Sequence, residues 1–316
     1  EATFGTDAEL VTVGEMSSTT LENCYHYAGE DGKELSMVFS FHHLKVDFMG
    51  NEKWVIVPFD FQKLKDIIFD WQVKMAEHKA WNAVFWCNHD QPRVVSRFGN
   101  VKNYWKESAK MLGTVVHCLR GTPYIYQGEE LGMTNPGFTR IEQYKDVESR
   151  NHFRILQEKG LSEENAYQIL QIHSRDNSRT PMQWDETKNA GFTTGDPWIE
   201  VTKNHSYINA KAELEDPDSI FQHYKKLVQL RKDYDIIAYG DIEPLDQKNP
   251  SVFAYRRTYQ GEEMYVINNF YGKEVTWKAD KDLTEFCVLL SNYQDTMIHG
   301  NQVTLRPYES IVLHKK

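Results

Sequence analysis

The chain has 316 residues, a formal net charge of −10 and 13 % aromatic residues. It has no long basic run and no apolar stretch near the ~20 residues of a membrane span, so neither a nucleic acid nor a membrane is expected as a partner. Its four cysteines, Cys24, Cys87, Cys118 and Cys287, stand singly, with neither a disulfide framework nor metal-ligand spacing; this favours a reducing cytoplasm and no metal or other cofactor.

The length suits one large domain and one small one. Residues 1–9 are polar, lack the apolar core of a signal peptide and read as the middle of a loop, so a fragment is expected. Strands and helices then alternate, the pattern of a parallel α/β sheet. Strand signals lie at Val11–Glu15, Ser36–Phe41, Ala83–Cys87 and Pro123–Tyr126. Helix signals lie at Thr20–Ala28, Phe61–Ala76 and Glu107–Arg120, the second with Leu64, Ile67, Ile68, Trp71 and Met75 at helical spacing. A closed eight-stranded barrel needs four more such strands, and none follows residue 130. From about Gly132 to Ile208 the chain reads as a long functional loop, with helix near His152–Leu156 and Ser162–His173. An amphipathic helix follows at Ile220–Arg231. After Gly240 short apolar runs separated by glycines read as a small antiparallel β-sandwich. The expected division is therefore 1–239, half of a (β/α)8 barrel, and 240–316, the sandwich.

Chemistry is sought where strands end. The apolar run Trp81–Cys87 stops at Asn88-His89-Asp90-Gln91-Pro92-Arg93, and Leu10–Gly14 stops at Glu15. In a barrel of parallel strands the C-terminal face is open to ligand while the interior is packed. Glu15 and Asp90 thus suggest a carboxylate site, although an acid at a strand end can equally cap the next helix. Glu129 and Glu130 are expected to cap a helix or bond the loop backbone rather than to serve catalysis. Trp81, Phe85 and Trp86 are expected in the core and pocket wall.

Four segments occur in family order and resemble glycoside hydrolase family 13, the α-amylase superfamily. They are Val13-Gly14-Glu15, the stretch Asn88–Arg93, Gly121–Glu130 (GTPYIYQGEE) and Arg175–Trp184 (RDNSRTPMQW). The segments Gly14–Cys24 and Phe41–Asp47 (FHHLKVD) are similar to the trehalose-6-phosphate hydrolases of that family. The resemblance implies that these are strands five to eight of the barrel. It implies Glu15 as general acid/base, Asp90 as transition-state stabiliser and His89 as a ligand of sugar hydroxyls. The family's nucleophile, an Asp in a motif like Gly-Phe-Arg-x-Asp, has no match in the 316 residues. The chain by itself is therefore expected to be inactive.

The roles fit the chemistry. One carboxylic acid protonates the leaving oxygen while a second group, a carboxylate, attacks the anomeric carbon, the two lying about 5–5.5 Å apart in retaining enzymes. Glu15 would need its pKa raised by burial or a neighbouring carboxylate, and a charged Asp90 would stabilise the oxocarbenium-like transition state. A dianionic sugar phosphate needs cations at the pocket mouth. Lys45 follows the second strand beside His42 and His43, and Lys53 can reach the same loop region; either is otherwise a solvated loop lysine. Arg179 either lines the cleft or ties the long loop to the barrel. The expected partner is a small sugar phosphate, with dimerisation through the open half-barrel edge also expected. The alternatives are an oligo-1,6-glucosidase or dextran glucosidase, and a non-catalytic relative acting as an interaction subunit.

Overall fold

A computed structural model of the protein describes residues 10–29 and 34–316. The polar stretch 1–9, expected within a loop, lies outside them. Four strands, β1 (Val13–Met16), β2 (Met37–Ser40), β3 (Asn82–Val84) and β4 (Thr122–Pro123), form one parallel sheet in the order β1-β2-β3-β4. The connections carry α1 (Leu21–Ala28), α2 (Phe61–Glu77), α3 (Val94–Phe98) and α4 (Trp105–His117). Parallel neighbours require such crossovers. Register is continuous across the sheet: Glu15 faces Phe39, and Phe39 faces Ala83.

The helices begin where short polar side chains can satisfy free backbone donors. Thr20 caps α1 and Asp60 caps α2, the latter accepting from Lys63 N at 2.9 Å. Asp146 and Ser162 do the same for α5 (Val147–Glu158) and α6 (Glu163–His173). These two helices lie within the long looped stretch where helix was expected, α5 longer than anticipated. They pack through Phe153, Leu156, Ala166, Ile169 and Leu170 into a core of their own with Trp54 and Tyr144. Asn209 opens α7 (Ala210–Glu215) and Ser219 opens α8 (Ile220–Asp233); α9 (Asp235–Tyr239) follows.

The third strand differs from expectation. The ladder ends at Val84 rather than Cys87. Phe85, Trp86 and Cys87 stay buried, but their backbone and ring groups find other partners. The Phe85 carbonyl meets His43 Nε2 at 2.9 Å, and Trp86 Nε1 donates to the Leu112 carbonyl at 2.7 Å. Burial alone therefore produced the strand-like apolar run.

The C-terminal part is antiparallel. One sheet runs β5 (Asp241–Leu245), β6 (Val252–Tyr259), β7 (Glu262–Asn269), β12 (Ser310–Lys315), β9 (Cys287–Ser291) in that order. The other runs β10 (Met297–His299), β11 (Gln302–Leu305), β8 (Val275–Lys278). Alternate residues of the larger sheet (Val252, Ala254, Tyr265, Ile267, Ile311, Leu313) meet Trp277, Val303 and Leu305 of the smaller one. The intervening residues Phe253, Tyr255, Met264, Val266 and Val312 join Phe69, Met111 and Val115 of α2 and α4 in the main core. Strands buried on both faces lose polar alternation, which is why β6, β7 and β12 stand out in the sequence.

Candidate active site

Parallel pairing brings the C-terminal ends of β1 to β4 to one end of the sheet, and the candidate residues follow from those ends. Glu15 is the third residue of β1. It lines a hollow of about 160 Å³ with Phe39, Phe41, Phe85, Asn88, Tyr124 and Tyr126. Glu15 is exposed rather than enclosed. The reason is topological: β1 is an edge strand, and among the described residues no strand lies outside it.

The Asn88-His89-Asp90 triplet sits four residues beyond the β3 ladder, not on its tip. Asn88 builds the turn: its Oδ1 accepts the Asp90 N–H at 2.8 Å, and its carbonyl accepts from Gln91 N at 3.2 Å. This is the local side-chain turn that Asn favours. It leaves the side chains of His89 and Asp90 63 % and 40 % exposed, with His89 Nε2 3.5 Å from Asp90 Oδ2. Asn88 therefore links the hollow that holds Glu15 to the turn that presents Asp90. Asp90 caps no helix: α3 starts after Arg93, which provides no side-chain cap.

Arg179 reaches the same turn from the long segment. Its Nη2 donates to Asp90 Oδ1 at 2.5 Å and its Nε to the His89 carbonyl at 2.8 Å. It thereby ties the long segment to the strand-end turn and lies directly against the candidate carboxylate.

Three residues of this cluster were not anticipated: Asp146, Glu148 and Arg175. Arg175 Nη2 donates to Asp146 Oδ1 at 2.6 Å, its Nη1 lies 3.7 Å from Asp90 Oδ1, and its Nε lies 3.3 Å from Glu148 Oε2. Lys53 Nζ stands 3.5 Å from the same Glu148 oxygen. Burial disfavours charge on Asp146, yet donors from Arg175 and Ser149 hold its carboxyl below the usual range. Burial lowers the Lys53 pKa, an effect Glu148 partly offsets. The four-residue spacing of Arg175 and Arg179 was the available signal, since it can aim two guanidinium groups at one site. Asp146 and Glu148 gave none, standing where a helix start needs acids anyway.

Lys45 lies elsewhere: exposed, it donates to the Ser17 carbonyl in the loop after β1 at 3.2 Å. Lys45 and Lys53 thus engage different neighbours. His43, beside them in sequence, is buried, and burial with the nearby Arg97 lowers its pKa to about 3. Glu129 is buried and accepts from Tyr224 Oη at 2.9 Å; Glu130 is also largely enclosed. Arg93 and Arg97 brace the rim. Arg93 Nη1 donates to the Gln127 carbonyl, and Arg97 forms a two-point pair with Asp47 at 2.8 and 2.5 Å.

The family description "Alpha amylase, catalytic domain" matches residues 1–240, and "Alpha-amylase SusG C-terminal domain" matches 252–312. The chain belongs to the alpha-amylase family. Among its relatives, the trehalose-6-phosphate hydrolase of Bacillus subtilis is 55 % identical over 96 % of this chain and 55 % of its own length. The oligo-1,6-glucosidase of Halalkalibacterium halodurans is 47 % identical over 96 % of this chain and 54 % of its own. The crystal structure of Bacillus licheniformis trehalose-6-phosphate hydrolase superposes with a TM-score of 0.95 at 52 % identity, covering 98 % of this chain and 56 % of that one. This alpha-amylase family chain therefore spans about half the length of the relatives it matches. No helix among the described residues is long and apolar enough to cross a membrane.

Proposed function

We propose that this chain is the acid/base-bearing portion of a retaining hydrolase that splits trehalose 6-phosphate into glucose and glucose 6-phosphate. In this reading residues 1–239 are the barrel portion and 240–316 the sandwich. Glu15 protonates the glycosidic oxygen and, in the second step, takes a proton from water. Asp90, held by Arg179, stabilises positive charge on the sugar ring as it develops. His89, beside Asp90, binds ring hydroxyls. Lys53, Lys45 and Arg179 supply cationic contacts, Lys53 foremost for the phosphate.

What supports the reading most is the run of charges from Asp90 through Arg175 and Glu148 to Lys53. A phosphate-binding cation and the transition-state carboxylate would thereby belong to one connected network. The scattered cysteines support a cytoplasmic setting. Because the chain spans 55 % of the B. subtilis relative, hydrolysis is assigned to it together with the remaining portion of a family-length polypeptide.

The test supplies that portion from the B. subtilis relative and measures glucose release. Trehalose 6-phosphate should be cleaved at least about tenfold faster than trehalose, a preference of ~1.4 kcal/mol or more. Lys53→Ala should raise KM for the phosphorylated substrate about tenfold and leave trehalose cleavage unchanged. Equal rates on both disaccharides would remove the phosphate assignment. The 47 % identity to an oligo-1,6-glucosidase supports a second reading, cleavage of isomaltose-type ends. Glucose release from isomaltose, unaffected by Lys45→Ala, would favour it.

A further inference from the structure

Glu148 lies in the first turn of α5, where the helix dipole favours an acid. Its placement does more than that. One oxygen, Oε2, stands 3.5 Å from Lys53 Nζ and 3.3 Å from Arg175 Nε, two cations from separate segments of the chain. Neither side chain is freely solvated: Lys53 is 21 % and Arg175 31 % exposed. The Arg175 Nε has no hydrogen bond of good geometry in the structure, so Glu148 acts on it as a charge.

The same helix end grips the Lys53 loop a second way. Lys53 Nζ lies over the Trp54 ring at 4.7 Å, and Trp54 stacks on His152 with centroids 4.5 Å apart and planes at 16°. His152 Nδ1 in turn meets the Glu148 carbonyl at 3.0 Å. Meanwhile Asp146, the α5 cap, is bound by Arg175, which also approaches Asp90. The start of α5 therefore joins the Lys53 loop to the Asp90 turn.

We propose that Glu148 is a positioning and specificity residue, holding Lys53 and Arg175 side by side so that phosphate recognition at Lys53 is coupled to Asp90. The proposal rests on the phosphate reading above and deepens it. Exposed ion pairs of this length contribute little; here the carboxylate separates two partly enclosed cations that otherwise repel. The charged and titratable groups facing Lys53 are Glu148 and Asp146 of α5, Arg175 and, from α6, His173. Glu148 opposes the effect of burial on Lys53, so a variant lacking its charge lets the ammonium lose its proton at lower pH. A phosphate monoester is already dianionic above about pH 7. Any weakening of its binding between about pH 7.5 and 9 then reports Lys53.

The experiment is calorimetric titration of glucose 6-phosphate and of glucose into the 316-residue chain and its variants Glu148→Ala, Glu148→Gln and Lys53→Ala. The chain should bind glucose 6-phosphate about tenfold or more tightly than glucose. Glu148→Ala should weaken glucose 6-phosphate about tenfold near neutrality, with a steeper loss than the parent shows as pH rises, and leave glucose unchanged. Glu148→Gln, which keeps the shape and serves if the alanine variant does not fold, should show the same trend with pH. Lys53→Ala should lose the binding without that trend. If Lys53→Ala abolishes the preference while both Glu148 variants match the parent at each pH, the Glu148 proposal falls and the phosphate reading stands. If the parent chain does not distinguish the two sugars, both fall.

Discussion

The Glu129 carboxyl, four-hundredths exposed, divides its two oxygens unequally: Oε1 accepts from Tyr224 Oη at 2.9 Å, and Oε2 is buried with no partner. Burial, with Glu130 adding to it against the opposing Tyr224 hydroxyl and Arg93, raises its pKa to about 8. The sign of the resulting pH dependence follows directly. Below the unfolded value of 4.5 both states carry the proton. Between there and about 8 the folded state binds a proton that the unfolded state has released, so stability falls as pH rises. The fall is complete above the folded pKa. Glu129→Gln keeps an acceptor for Tyr224 and removes the ionisation. Thermal unfolding followed from pH 5 to 9 should show the parent declining and the variant staying flatter, the gap reaching roughly 3 °C or more. A constant gap, or one closing toward high pH, contradicts a buried neutral Glu129. The same residue-scale logic separates it from Glu15 and Asp90, which lie where solvent and ligand can reach.

At the scale of elements, two arginines hold the end of α4. Arg231 of α8 donates to the carbonyls of His117, Leu119 and Gly121. Arg257 of β6, with no measurable exposure, donates to the carbonyls of Cys118, Ile237, Gly240 and Asp241. Helix C-termini leave carbonyls unpaired and carry partial negative charge, so a buried guanidinium is stabilised there without a carboxylate. Arg257→Met fills much the same volume but orphans four carbonyls. It should cost about 3 kcal/mol in a denaturant titration, and a cost below about 1 kcal/mol would show that water replaces the guanidinium. Neither arginine was legible as a clamp in the sequence, because the partners are backbone carbonyls, which carry no side-chain signal, and those of Arg231 lie more than a hundred residues away. Other features were legible for physical reasons. The βα order and the helix starts are written locally, in apolar spacing and capping residues such as Asp60 and Ser219. The Glu15 and Asp90 positions were visible because apolar runs stop at them. The β3 boundary was misjudged since burial, not pairing, keeps Phe85 to Cys87 apolar. Strands β8, β10 and β11 carry a weak sequence signal because they are short and half exposed, with Trp277, Val303 and Leu305 buried and Val275 and Ile298 only partly so. Asp146 and Glu148 joined the site only when folding brought α5 against the Lys53 loop.

At the scale of the whole molecule, the main core runs without a break from α2 and α4 into the larger antiparallel sheet. Phe69 meets Phe253 with ring centroids 4.6 Å apart, and Tyr255 Oη donates to the Val115 carbonyl at 2.9 Å. The sandwich is therefore a buttress for the helical layer of the parallel sheet, whose two outer edges are β1 and β4. The edges differ in their capacity to pair. β4 contains Pro123, which lacks a backbone donor and makes that edge a weaker template for pairing between copies. β1 has no proline and is approached by exposed Leu10, Val11 and Val13, with Val11 73 % accessible. An apolar edge strand with free donors and acceptors is a template for another strand. When the edge is left uncovered, two copies meeting β1 to β1 about a two-fold axis satisfy the same groups on both sides. The 316-residue chain is thus expected to shift from monomer to dimer as its concentration rises, measured by static light scattering or sedimentation equilibrium. Val13→Lys places a charge on the edge and should weaken the association about tenfold or more. Supplying the remaining portion of the B. subtilis relative should abolish it as well, by occupying the edge. A parent chain that stays monomeric at every concentration, or a dimer indifferent to Val13→Lys, would show that β1 is not the pairing edge.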